Sequence, residues 1–179
     1  NFGPGVHDAS ATLPSSPSPG APSFRDVVWL RPREVWESHS FCGELADVKL
    51  GSFADAWFLG ALCSLSLREH VLFGDPSGHQ EPLGVYPRLF WDPELRRRGI
   101  YCFRFSKHGS WFYVLVDDRL PFRQKEPLFS RTHGLDKVPQ IWAALIEKAY
   151  AKLHGSYFAL SLGFVDDALE DLTSWPTEK

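Results

Sequence analysis

The chain has 179 residues, enough for one compact domain with a hydrophobic core plus some tail. With 44% hydrophobic, 15% aromatic and 23% charged residues it is ordinary globular material, and a net charge of −3 offers no attraction for nucleic acid or an anionic membrane. No apolar run approaches the roughly 18 residues of a membrane span, nothing reads as a signal peptide, and three widely spaced cysteines (Cys42, Cys63, Cys102) suit reduced thiols in a cytoplasmic protein.

Residues 1–23 are rich in Pro, Ser, Gly and Ala and cannot bury enough apolar surface to offset their ordering entropy, so they read as a flexible leader. The chain contains no Met, and residue 1 is expected not to be the natural start. Order is expected from Phe24, with an extended stretch before Pro32 and a helical turn over Arg33–Trp36. Asp55 to Glu69 (DAWFLGALCSLSLRE) reads as a helix capped by Asp55 and apolar almost all round, hence a core element. A loop at 74–84 precedes a candidate strand at Val85–Trp91, and the triplet Arg96–Arg98 reads as a solvated turn. IYCFRFSKHGSWFYVLVDD reads as a β-hairpin turning at His108-Gly109. Gln140–Leu153 (QIWAALIEKAYAKL) is a second helix stopped near His154-Gly155, and Val165–Leu172 a third.

A buried helix opening D-x-W-F-L-x-A, a hairpin ending VDDRLP, then WAALIEKAYAKLHGSY and D-A-L-E-D-L-T, resembles the protease core of the calpain family from about Phe24 to Thr173. The resemblance implies an α+β fold: a helical subdomain with a buried central helix and a small antiparallel sheet, the first of two subdomains in a papain-like core, here over 24–179. The second, which carries the family's catalytic His and Asn, is expected to lie beyond Lys179 and to be absent.

The family sets its nucleophilic Cys at a helix N-terminus, where unpaired N–H groups lower the thiol pKa, in a pattern close to Q-G-x-L-G-D-C-W. Here Leu50-Gly51-Ser52-Phe53-Ala54-Asp55-Ala56-Trp57 puts Ala56 at the nucleophile and Leu50 at the oxyanion Gln. Loss of a nucleophile costs about a millionfold in rate, and of one oxyanion donor about 100- to 1000-fold. A laboratory Cys→Ala change and natural loss of activity compete to explain Ala56; Leu50 favours natural loss, since a silencing change alters one position. Cys63, two turns on and about 10 Å deeper, reads as a buried hydrophobe. None of the seven histidines aligns with the family's base, and His70, His108, His133 and His154 read as solvated groups at helix ends or turns.

The resemblance also implies a calcium site, with Asp47 matching its acidic ligand, while Gln140 stands where the family has Glu. One carboxylate and a neutral amide make a weak or vestigial site, so no cofactor is required. The family's L-S-G-G is Leu160-Ser161-Leu162-Gly163 and its T-G-G is Thr173-Ser174-Trp175, so a vestigial cleft of Trp57, Leu162 and Gly163 carries a side chain where substrate backbone should lie. The remaining matches (Trp57, Trp142, the EKAYAK helix, Asp171) are structural. The reading is a non-catalytic, cytoplasmic and cytoskeleton-associated module with an unidentified protein partner. Its rival is a truncated or Cys→Ala fragment of an active calcium-dependent endopeptidase.

Overall fold

The computed structural model describes residues 26–42, 47–51, 55–74, 84–87, 90–134 and 136–177, apart from the side chains of Asp47 and Glu69. The leader at 1–23 lies outside them. Strand β1 (Val28–Leu30) leads into helix α1 (Pro32–Val35), which has Pro32 in its first turn, where a missing N–H costs nothing. Strand β2 (Asp47–Lys49) precedes helix α2 (Ala56–Ser66), which ends at Leu67 before a short α3 (Glu69–Phe73). The expected strand at Val85–Trp91 does not form among the described residues. Val85 and Tyr86 instead donate backbone hydrogen bonds to Val71 and Leu72, and Val85 accepts one from Arg104. Of the arginine triplet only Arg98 lies in a turn; Arg96 and Arg97 end a helix. Asp92 accepts from the Glu94 N–H at 2.8 Å and Pro93 opens helix α4 (Pro93–Arg97), so a cap and an N-terminal proline start a helix there.

The hairpin forms as read, β3 (Ile100–Lys107) against β4 (Ser110–Asp117), with His108 at φ 52° and Gly109 at φ 74°. Two consecutive left-handed residues are what a two-residue turn needs to match the strand twist. Four short strands follow: β5 (Leu120–Arg123), β6 (Glu126–Pro127), β7 (Arg131–His133) and β8 (Pro139–Gln140). Helix α5 (Trp142–Leu153) stops at His154 and Gly155 (φ 95°), a 3-10 turn spans Tyr157–Leu160, and helix α6 runs Val165–Thr173. Among the described residues the strands form three antiparallel sheets, β1-β5-β6, β2-β7-β8 and β3-β4, so the fold is α+β. No described helix is long and apolar enough to cross a membrane.

The core gathers around α5, whose residues from Trp142 to Ala151 are all buried. Tyr150 stacks on Phe58 of α2 with centroids 4.2 Å apart, and Phe105 of β3 tilts against it at 5.3 Å. Helix α2 is less enclosed than its composition suggests. Phe58, Leu59, Ala61, Leu62 and Leu65 face inward, whereas Ala56, Cys63, Ser64 and Leu67 form an exposed stripe. The expected burial of Cys63 is therefore wrong: seven residues from Ala56 returns to the same face, and that face meets solvent. Cys102 is the buried thiol, and desolvation pushes its pKa up to about 11. Lys148 is buried as well; its ammonium donates to the Asp117 and Arg119 carbonyls at 3.0 and 2.6 Å and contacts the Asp117 carboxylate. Burial lowers its pKa despite that carboxylate. Asp171 accepts from the Tyr150 hydroxyl at 2.6 Å and pairs with Lys107, tying α6 to α5 and β3.

Candidate functional site

Ala56 is the first residue of α2 and is exposed, so the position sits where unpaired helix N–H groups would act on a side chain. A methyl has no proton to lose and no lone pair to attack with. Trp57 follows; its indole N–H donates to the Leu160 carbonyl at 2.8 Å and fixes the 3-10 turn against the helix start. Gly163 lies over the same indole, and a Cβ there would fall 2.4 Å from ring carbons of Trp57. We expect Gly163→Ala to displace the Trp57 ring and destabilise the chain by about 1–3 kcal/mol, the usual cost of overpacking. Unchanged tryptophan emission and an unchanged urea midpoint would contradict that. Leu162 is 88% exposed at the rim of a hollow of about 300 Å³ that Trp57 and Gly163 also line, and Leu50 is 53% exposed. Trp57, Leu162 and Gly163 thus come together. The Leu50 side chain has no hydrogen-bond donor.

Asp55, one residue before Ala56, holds the N-cap position, and its carbonyl accepts from the Phe58 and Leu59 N–H groups at 3.0 and 3.1 Å. Its side chain makes no capping bond. It turns inward, 1% exposed, and meets the wholly buried carboxyl of Glu147 on α5. Glu147 accepts from the Ser130 N–H at 2.9 Å through one oxygen; its other oxygen and both oxygens of Asp55 find no donor among the described residues. Two buried carboxyls facing one another can bond only if one keeps a proton. Desolvation, then the neighbouring Asp55 charge, push the Glu147 pKa well above its ordinary 4.5, and desolvation raises Asp55. Tyr157, completely buried nearby, is pushed up by desolvation and by both carboxyls. Sequence reading missed this pair because Asp55 reads as a cap and Glu147 falls inside the EKAYAK run, which reads only as a structural match. The signal available was the apolar run on both sides of Glu147.

The two candidate calcium ligands share a sheet. Asp47 pairs with His133 in β7, and Gln140 of β8 pairs with Thr132, which puts their backbones about 10 Å apart across one intervening strand. The side chain of Asp47 lies outside the described residues. Gln140 is buried and its amide oxygen already accepts from the Trp142 indole at 3.2 Å. That donor set fits calcium poorly, because a neutral oxygen committed to an indole contributes little to a shell that needs six or more oxygens. No group of three or more His, Cys, Asp or Glu suited to a metal occurs among the described residues. His133 is not the solvated turn residue expected: it sits in strand β7 between β2 and β8, and its buried Nδ1 has no hydrogen-bond partner among the described residues. His154 stacks at 4.5 Å on Tyr150; burial and then Lys107 lower its pKa.

A central helix presenting its N-terminus at the surface, locked through an indole to a glycine-bearing segment, is the nucleophile-helix half of a papain-like cysteine protease fold. The chain belongs to the calpain family: the pattern described as calpain family cysteine protease matches residues 8–179. It is 35% identical to Calpain-8 of Rattus norvegicus over 165 residues, covering 89% of this chain and 21% of that protein. To the Calpain-2 catalytic subunit of Gallus gallus it is 39% identical over 160 residues, 87% of this chain and 21% of that protein. Calpain-A of Drosophila melanogaster is 37% identical over 157 residues, 86% and 17% respectively. The chain thus spans about a fifth of the length of these relatives.

Proposed function

We propose that this chain is a calpain-family module that binds protein without cutting it. The observation that carries the reading is Ala56, a methyl group exposed at the first position of α2, where the family resemblance calls for the attacking thiol. Leu50, unable to donate to an oxyanion, and Leu162, standing at the rim of the cleft, support it. Calcium is not required: Gln140 supplies a committed neutral oxygen where the family uses a carboxylate. The setting implied by the resemblance is cytoplasmic and cytoskeletal. Incubation with casein, with and without calcium, is expected to give no cleavage above buffer. Cleavage that survives repurification and is blocked by a thiol reagent would overturn the proposal.

A second reading, a fragment of an active endopeptidase with Cys replaced by Ala, is favoured by one observation. The immediate surroundings of Ala56 are in good order, with Trp57 bonded to Leu160 and its ring packed closely on Gly163. The natural codon at position 56 decides between the two.

A further inference from the structure

Strand β4 is an edge: among the described residues it pairs with β3 alone. The outer side of β3 is covered, since the Arg104 N–H donates to the Val85 carbonyl at 2.8 Å. In an antiparallel pair, alternate residues turn their N–H and C=O groups toward the neighbouring strand and away from it. The two-residue turn at His108-Gly109 makes Lys107 and Ser110 a hydrogen-bonded pair, so on β4 the groups of Trp111, Tyr113, Leu115 and Asp117 point outward. Helix α5 follows that alternation: Lys152 donates to the Leu115 carbonyl at 2.9 Å and Lys148 to the Asp117 carbonyl at 3.0 Å. Those two ammonium groups close the far half of the edge. Trp111 and Tyr113 make no outward backbone hydrogen bond to any described residue. Their half of the strand is apolar as well as open. Phe112 and Tyr113 are 48% and 55% exposed, and the Arg104 guanidinium lies 4.3 Å from the Trp111 ring centre. Ser110 to Val116 (SWFYVLV) carries no charge and no proline, the devices that usually keep sheet edges from pairing.

We propose that this edge pairs with the same edge of a second copy of the chain, antiparallel about a twofold axis at Phe112. That register sets Trp111 opposite Tyr113 of the other copy, so the outward N–H and C=O groups of both residues find partners. Phe112 then faces Phe112 on one side of the joined sheet, while Trp111 meets Tyr113 on the other, and cross-strand aromatic pairs of this kind stabilise sheets. A register moved toward Val114 would draw in the Leu115 carbonyl, which Lys152 holds. One moved toward the turn would leave Tyr113 opposite Gly109. A second copy is selected over a charged partner strand because nothing from Ser110 to Val116 could answer a charge, and self-pairing sets no like charges opposite one another. The twofold makes the contact self-complementary and closed, so it ends at two chains. The inference goes beyond the reading of Ala56 and holds whether or not the chain cuts peptide.

Sedimentation equilibrium of the whole chain is expected to show an average mass rising toward that of two chains between about 10 μM and about 1 mM, the behaviour of a small, transient interface. Tyr113→Lys, at an exposed edge position, should hold the mass at that of one chain over the same range. Leu67→Lys, at an exposed apolar residue outside the hairpin, should associate like the parent. A single-chain mass at every concentration overturns the pairing, as does association that survives Tyr113→Lys or is lost equally in Leu67→Lys. Oxidation then reads the register, in a chain whose Cys42 and Cys63 have been changed to Ser. Phe112 faces its own counterpart across a non-hydrogen-bonded pair, where Cα atoms lie about 4.5 Å apart and within disulfide reach, so Phe112→Cys should cross-link the two copies. Ser110→Cys should not, because its two copies sit about 13 Å apart along the ladder. Cross-linking of both variants to the same extent, or of neither, overturns the twofold at Phe112.

Discussion

Urea titrations at pH 5 and pH 9 are expected to give markedly different stabilities for this chain, and the difference should shrink in Glu147→Gln. The cause is the carboxyl pair of Asp55 and Glu147, which burial obliges to keep one proton. The folded-state pKa of Glu147 is raised above its ordinary 4.5, so the unfolded chain releases this proton first as pH rises. The stability the proton confers is fully present below about pH 4.5 and is lost as pH climbs through the folded pKa, at about 1.4 kcal/mol per pH unit for one proton. A glutamine at 147 keeps an oxygen for the Ser130 N–H, supplies an amide N–H to Asp55, and has nothing to titrate. Glu147→Gln should therefore equal or trail the parent at pH 5 and exceed it at pH 9. Parallel pH profiles for the two proteins would show that the carboxyls do not share a proton.

Ala56→Cys, joined to a competent second subdomain, is expected to yield a thiol that reacts with iodoacetamide and yet turns over peptide at least about 100-fold more slowly than a triple variant that also carries Leu50→Gln and Leu162→Gly. The position at the start of α2 gives the thiol its acidity, because the helix N–H groups there are unpaired. Turnover needs more. A tetrahedral oxyanion requires a donor that Leu50 lacks, and one missing donor is worth about 100- to 1000-fold. Leu162 raises the rim past which an extended substrate must run. If the single Cys variant cleaves a calpain peptide substrate within a few-fold of the triple, only one position disables the chain, and the reading as a mutated active enzyme prevails.

The sequence made the large periodic elements legible and the short ones obscure, for physical reasons visible in particular residues. The hairpin announced itself through eight-residue strands and a His-Gly turn, and α5 and α6 through helical spacing. Strands β5 to β8 are two to four residues long, below the length at which alternation can register, and their pairing depends on partners far along the chain. Helix α4 was hidden because a charged run suggests solvent, whereas Asp92 and Pro93 carried the start signal. Ala56, Trp57, Leu162 and Gly163 were picked out through the family resemblance, and the structure sets Trp57, Leu162 and Gly163 around one hollow. The Asp55–Glu147 pair was not picked out, because burial of a glutamate on α5 follows from packing against α2 and the Ser130 segment, which no local window contains.

The pairing of β1 with β5 joins residue 28 to residue 122, and β2 with β7 joins 47 to 133, whereas β3 and β4 meet across two residues. Chain closure makes these events unequal. The hairpin can assemble within microseconds, while the two long-range pairings must first bring together segments separated by most of the domain. On a ribosome, the apolar residues of β1 emerge early and have no sheet to join until β5 has been synthesised. Val28, Trp29 and Leu30 must then wait unpaired, the state in which apolar segments are captured by chaperones or by other chains. The order of synthesis and the order of assembly thus run in opposite directions at this edge of the molecule.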